Sequence, residues 1–294
     1  MSMTYINWYP GHMKKTKDMI NENIKLVDVV LEVIDARIPM SSRNPDIKKI
    51  SKNKKRVIVL NKTDLVNKDE LKLWKEYFIY EDNADGVIEI SAETGKNLNL
   101  LYKEIEKVNH EKKEKLKEKG IKNLINRIMV LGIPNVGKSR LINRIVGKNS
   151  AGVGNKPGFT KGKQWIRIKD GYELLDTPGI LWPKFDNREV GINLAITGAI
   201  KDEILPIEEI ACEFLKKMIS FDKYDIVEKT YKLLPEDRDE NVWYIIEKIA
   251  IRMGMLLKGN KPNTLQACYT LLRDYRSGKL GKIILEDIPQ KNKE

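Results

Sequence analysis

Along the first 180 residues, runs that are apolar at successive positions alternate with stretches whose apolar residues recur every three or four positions. Five such runs stand out: DVVLEVID (28–35), RVIVLN (56–61), GVIEIS (86–91), RIMVLG (127–132) and YELLD (172–176). Continuous apolar character marks strands covered on both faces, as in a parallel sheet between helices. QWIRIK (164–169) alternates instead, and its period of two predicts an edge strand with one wet face. Between the third and fourth runs, NLNLLYKEIEKVNHEKKEKLKEKG (97–120) sets Leu98, Leu101 and Ile105 on one helical face. It then turns almost wholly to Lys and Glu before Gly120. This predicts a helix that becomes a solvated connector, its interleaved Glu arguing against a basic RNA-binding arm.

Beyond about residue 186 the strand signals stop. PIEEIACEFLKKM places Ile207, Ile210, Ala211, Phe214, Leu215 and Met218 at helical spacing, with Pro206 suited to the first helical position. NVWYIIEKIAIRMGMLL and NTLQACYTLLRDYRSG predict further helices, the last stopped by Gly278. The expected organisation is an α/β domain over 1–185, followed by a small all-α domain over 186–294.

A chain of 294 residues is long enough for two domains. No apolar run approaches the length of a membrane span, and the opening MSMTYINWYPGHMKK lacks the apolar segment of a signal peptide. Cys212 and Cys268 stand apart, with no Cys or His at metal-ligand spacing, which predicts reduced thiols in a cytoplasmic protein. The net charge of +12 favours a polyanionic partner, RNA first, although a lysine-rich proteome would give the same excess.

The chemistry lies in loops that follow strands. GIPNVGKS (132–139) fits the phosphate-loop pattern, comes after RIMVL and opens the helical SRLINRIVG. Gly132 and Gly137 let the backbone wrap close to phosphate, with Asn135 and Val136 in the loop, and Arg140 just after it, as further nucleotide-binding candidates. Lys138 would reach the terminal phosphates, and the Ser139 hydroxyl would bind Mg²⁺ at a helix N-terminus. Mg²⁺ takes few protein ligands. A second anchor is Asp176 of LLDTPG, through a metal-bound water, and the Gly179 N–H suits the γ-phosphate. Thr160, in KPGFTKG, is either a Mg²⁺ ligand or an ordinary loop threonine.

NKTD (61–64) alone would be a turn with an Asp helix cap. Beside a phosphate loop and DTPG it becomes a base-recognition motif. Asp64 accepts only, and guanine offers two adjacent donors, N1–H and the 2-amino group, where adenine offers no such pair. Asn61 suits the base edge and neighbouring loops, and the Lys62 stem suits a ring face. In SAETG (91–95), Ser91 and Ala92 are placed to give a backbone N–H to the guanine oxygen.

In an ordinary GTPase the phosphate loop comes first. The order here, NKTD, SAETG, GIPNVGKS, a switch threonine and DTPG, resembles that of the circularly permuted GTPases. INWYPGHMKK, VIDARIP (33–39) and the closing LLRDYRSGKLGKIILE resemble the ribosome biogenesis GTPase A (YlqF/RbgA) group over nearly the whole chain. The resemblance implies a P-loop GTPase domain binding GTP or GDP with Mg²⁺. It also implies action in late assembly of the large ribosomal subunit, with rRNA and ribosomal protein as partners; we further expect a monomer. The break after DTPG leads straight into the helical domain, so GTP against GDP is expected to set that domain's orientation.

Ras-like enzymes use a Gln after the DTPG glycine to orient water, and here that position is Ile180. The isolated protein should therefore be slow, and supplying a missing catalytic part is worth on the order of 10³–10⁵ in rate. His12 either positions water, as the resemblance implies, or bonds structurally while Trp8, Tyr9 and Pro10 anchor the segment. Asn135 either faces solvent or resembles the asparagine of potassium-stimulated GTPases, whose carbonyl helps hold K⁺. Asp35 and Arg37 suit a switch contact or a loop-locking ion pair. Lys14, Lys15 and Lys17, or Arg273, Arg276, Lys279 and Lys282, could neutralise RNA phosphates; the two arginines also suit a helix C-terminus. Two further readings fit: a GTP-dependent RNA-binding placeholder with negligible turnover, and a tRNA-modification or stress-sensing GTPase.

Overall fold

The computed structural model describes residues 12–121, 125–147, 165–169, 171–175, 187–237 and 241–290, with side chains from residue 18 onward except that of residue 169. Two units emerge, one of residues 1–185 with 286–294, the other of 186–285. The expected second domain ran to 294; residues from 286 on group instead with the first unit. There the Glu286 carboxylate accepts from the Met40 and Ser41 N–H groups at 2.6 and 2.9 Å.

The first unit holds β1 (Val29–Asp35), β2 (Lys55–Asn61), β3 (Gly86–Glu89), β4 (Asn126–Leu131), β5 (Trp165–Lys169) and β6 (Tyr172–Leu175) in one sheet of order β3-β2-β1-β4-β6-β5. The apolar runs become the parallel strands: every residue of β1 is buried, as are all of β2 after Lys55. The alternating run is β5, antiparallel to β6 at the sheet's edge.

Around the sheet lie α1 (His12–Asn23), α2 (Pro45–Ile50), α3 (Lys68–Tyr80), α4 (Leu98–Glu118) and α5 (Lys138–Gly147). Crossovers, right-handed by the general rule for parallel strands, carry the chain from β1 through α2 to β2 and through α3 to β3. The path then reverses past β1 to β4, so α2 and α3 cover one face and α4 and α5 the other. Ile20 of α1 and Ile47 of α2 pack with Val30, Met129, Leu131 and Leu175 in one core cluster.

Beneath α2 and α3 runs a charge network that no periodicity announces. Glu32, in the middle of β1 and fully buried, takes Arg43 at 2.9 Å and Arg56 at 2.8 Å. Asp82 takes both arginines as well, at 3.1 and 2.6 Å, and Lys48 at 2.8 Å. Each buried charge is paired, as burial requires.

The second unit contains α6 (Arg188–Ile196), α7 (Ile207–Ser220), α8 (Tyr224–Tyr231), α9 (Val242–Arg252) and α10 (Thr264–Arg276). Asn187, Asn241 and Asn263 cap α6, α9 and α10 through side-chain acceptors. Pro206 stands one residue outside α7, with ψ of 83°, rather than in its first turn. The apolar face of α7 forms the centre, with Phe214 and Tyr275 ring to ring at 4.9 Å.

Candidate functional site

The carboxyl ends of β1, β2, β3 and β4 stand side by side, and loops 35–37, 61–65, 91–95 and 132–137 leave from them. In open α/β sheets ligands bind outside these ends. Strand position rather than chain order therefore brings the motifs together.

Gly132 has φ of 154°, and a Cβ there would stand 2.4 Å from the Val33 carbonyl oxygen of β1. Gly137 has φ of 97°, and a Cβ would meet Asn61 Nδ2 at 2.3 Å. Both glycines are required by close approach to neighbouring loops. Asn135 also adopts a left-handed conformation, φ 61°. Lys138 is buried and folds its Nζ back onto the Ile133 carbonyl at 2.6 Å. That bond holds the ammonium over its own loop, from where it can transfer to a phosphate. Ser139, the second residue of α5, is exposed. One hydroxyl ligand beside a lysine suits Mg²⁺, which keeps most of its waters.

Asn61 joins the loops. Its Nδ2 donates to the Val136 carbonyl at 2.8 Å and its Oδ1 accepts from the Ala92 N–H at 2.9 Å. The residue is 2% exposed, so the predicted contact with the base edge is left with one amide hydrogen at most. Lys62, at φ 64°, donates to the Asn135 carbonyl at 3.0 Å and to Asp35 at 2.8 Å. The main-chain carbonyl of Asn135 is thus engaged by the Lys62 ammonium. Asp64 is different: its Oδ1 is buried and has no hydrogen-bond partner among the described residues. An orphaned carboxylate oxygen costs about 1–3 kcal/mol or more. A guanine N1–H or 2-amino group would satisfy it, so the residues present fit a guanine nucleotide.

The N–H groups of the base loop mostly have partners of their own. Ala92 gives its N–H to Asn61, Ser91 gives its own to Lys96 O, and Thr94 gives its own to Ser91 Oγ. None of these three is left for the guanine oxygen. The Glu93 N–H makes no hydrogen bond to a described residue and is the remaining donor. A residue that sequence reasoning missed fixes this loop: Arg144 of α5 donates to the Ala92 carbonyl at 2.6 Å and to the Glu93 carbonyl. Its position on α5 carried no signal, because the contact depends on how α5 lies against the loop. Arg140 pairs with Glu93 at the exposed rim.

Asp35 and Arg37 form a buried pair at 2.7 Å, joined by Lys62. Burial pushes the Asp35 carboxyl up, but Arg37 and Lys62 overcome that and hold it below the usual carboxylate range. The pair locks the loop after β1 against the loop after β2.

Thr160, Asp176, Gly179 and Ile180 lie outside the described residues, and His12 opens α1 with its side chain outside them too. In the helical unit, Arg276 does not offer a free charge to RNA. It forks onto Asp202 at 2.7 and 2.8 Å and donates to the Ala195 and Ile196 carbonyls that end α6. Lys279 pairs with Asp274 at 2.7 Å. Arg273, 72% exposed in its side chain, reaches Asp274 only at 3.7 Å.

Comparison with known proteins agrees with this geometry. The family described as "50S ribosome-binding GTPase" matches residues 127–248. Ribosome biogenesis GTPase A of Bacillus licheniformis is 41% identical over 281 residues, 96% of this chain and 98% of the relative. That of Bacillus pumilus is 40% identical over 283 residues, covering 96% and 98%. The solved structure of GNP-bound YlqF from T. maritima covers 94% of this chain and 99% of its own, at 24% identity and a TM-score of 0.64, a likeness of fold.

Proposed function

The chain belongs to the ribosome biogenesis GTPase A family, and from that premise we propose that it is an assembly factor acting late in maturation of the large ribosomal subunit. As a member it is a GTPase, a P-loop α/β fold with permuted motif order followed by a helical unit. The observation that carries the reading is the buried oxygen of Asp64, without a partner among the described residues, at the strand ends where the phosphate loop also opens.

Asp64 accepts from guanine N1–H and the 2-amino group, and the Glu93 N–H meets the guanine oxygen. Asn61 holds base loop and phosphate loop at a fixed separation. Lys138 exchanges the Ile133 carbonyl for the β- and γ-phosphates, while the backbone N–H groups of 135–139, from Asn135 through Val136 and Gly137 to Ser139, cradle them. Ser139 and Thr160 would supply hydroxyls to Mg²⁺, Asp176 would hold one of its waters, and the Gly179 N–H would meet the γ-phosphate. Mg²⁺, when bound, neutralises charge on the β- and γ-oxygens. Water attacks the γ-phosphorus in line with the bridging oxygen. The bridging bond breaks, its electron pair leaves with GDP, and the water's proton passes to the released phosphate.

Ile180 cannot orient that water. His12, or a potassium ion held beside Asn135, supplies the missing polarity when the ribosomal particle orders the site. RNA contact by the helical unit falls to Arg273 and Lys282, because Arg276 and Lys279 are engaged within the unit. The test is GTP turnover by the full chain with and without immature large subunits. We expect stimulation by at least tenfold. Binding without stimulation would reduce the protein to a placeholder, and no association would remove the ribosomal role.

A further inference from the structure

At the end of the sheet opposite the nucleotide site, a groove of about 570 Å³ runs between the later half of α4 and the amino-terminal ends of β1 and β2. Six lysines and three carboxylates line it. Two carboxylates are answered locally, Asp85 by Lys55 and Asp28 by Lys112. Lys52, Lys115 and Lys119 are exposed and make no ion pair with a described residue. Lys54 is partly buried and points its Nζ at the Lys25 and Val27 carbonyls, at 3.2 and 2.9 Å. Burial, with the charge of Lys112, holds that ammonium below the ordinary lysine range against the pull of Asp28. An added anion would relieve both effects.

The shape of α4 makes this groove. The helix buries Leu98, Leu101, Ile105, Val108 and Asn109 and nothing after them. Its 21 residues extend about 31 Å at about 1.5 Å each. The seven residues of β1 extend about 23 Å. The helix therefore overshoots the strand ends by more than a turn, which a connector does not need. Lys112, Lys115 and Lys119 follow at spacings of three and four, one face of the overhang, reaching about 10 Å along it. The acids interleaved in the sequence partly serve other faces: Glu106 pairs with Lys113 and Glu114 with Lys117.

We propose that this groove is a binding surface for the sugar–phosphate backbone of RNA, separate from the nucleotide site. Lysines are compact charges that meet phosphates without reading bases, and no aromatic platform lines the groove, so it positions RNA and does not select sequence. An acidic protein would need aromatic or arginine anchors in a desolvated pocket, and the lining has none. The inference deepens the ribosomal reading and rests on it. Its test uses isolated RNA, so that failure here leaves stimulation by immature subunits to be judged separately.

The full chain is titrated with a fluorescent RNA hairpin of about 40 nucleotides across 50–200 mM KCl, a range over which several phosphate contacts change affinity by powers of ten. Combining Lys52→Gln, Lys115→Gln and Lys119→Gln removes three contacts and should flatten the log–log salt slope by about 2–3. Wild-type affinity would then fall about 20- to 40-fold more than the variant's over that range. Basal GTP turnover stays unchanged, and the arginine triple at the same positions keeps the wild-type slope. A control triple on exposed Lys68, Lys72 and Lys103, each to Gln, should leave the slope alone. An unchanged slope in the groove variant, an equal loss in the control, or displacement of RNA by polyglutamate at matched charge would overturn the proposal.

Discussion

Replacing Asn61 by Ala removes both bonds that tie the phosphate loop to the base loop, at 2.8 Å to Val136 O and 2.9 Å from Ala92 N. Val136 and Ala92 are each 1% exposed, so water does not readily replace the lost amide. A buried donor or acceptor left without a partner costs about 1–3 kcal/mol, and two such groups with partial relaxation should cost about 3 kcal/mol. That is about a hundredfold in an equilibrium constant, shared between folding of the first unit and affinity for nucleotide. Urea unfolding of the nucleotide-free protein measures the first share, with the two units' transitions resolved separately. Titration with fluorescent GDP measures the second. Asn61→Asp keeps an acceptor for Ala92 but faces the Val136 carbonyl with a carboxylate, so it should do no better than Ala. An Ala variant within about 0.5 kcal/mol of wild type in both assays, below the usual worth of even one such bond, would refute the bridging role.

Asp82 shares the acid sensitivity of the first unit with Asp35. Burial works against its charge, but hydrogen bonds from Arg43, Lys48 and Arg56 outweigh this and hold it at about 2. The folded pKa lies below the unfolded value of about 3.9, so the contribution, about 2 kcal/mol, is present above about pH 5 and fades as pH falls toward 2. Asp82→Asn should lower stability at pH 7 and flatten the acid limb of the denaturation curve; an unchanged limb would contradict the assignment. Potassium should raise basal turnover over sodium at equal ionic strength, and Asn135→Ala should erase the difference, whereas equal rates would remove the ion from the mechanism. His12→Ala should leave GTP affinity nearly unchanged and abolish particle-stimulated turnover, and normal stimulated turnover would end its role in positioning water.

The parallel strands could be read from the sequence because burial on both faces demands continuous apolar residues, and β5 because one wet face demands alternation. What could not be read depends on distant partners. Glu32 looks like an error in an apolar strand until Arg43 and Arg56 stand beside it. Arg276 looks like a phosphate contact until α6 ends against it. The base loop was found by its motif, but which N–H it leaves for guanine depends on the Asn61 amide, a group 31 residues away from Ala92. The overhang of α4 reads as merely solvated in the sequence, because a run of Lys and Glu does not say which signs share a face.

The nucleotide preference of Asp64→Asn tests the convergence of the permuted motifs most directly. An amide in place of the carboxylate turns a donor toward the guanine 2-amino group. GTP should therefore bind about 30-fold or more weaker, about 2 kcal/mol for one charged hydrogen bond. Xanthosine triphosphate, which carries an oxygen at that position, should gain affinity. If the variant keeps wild-type preference for GTP, or if the wild-type protein binds ATP as tightly as GTP, Asp64 does not face a guanine and the account is wrong.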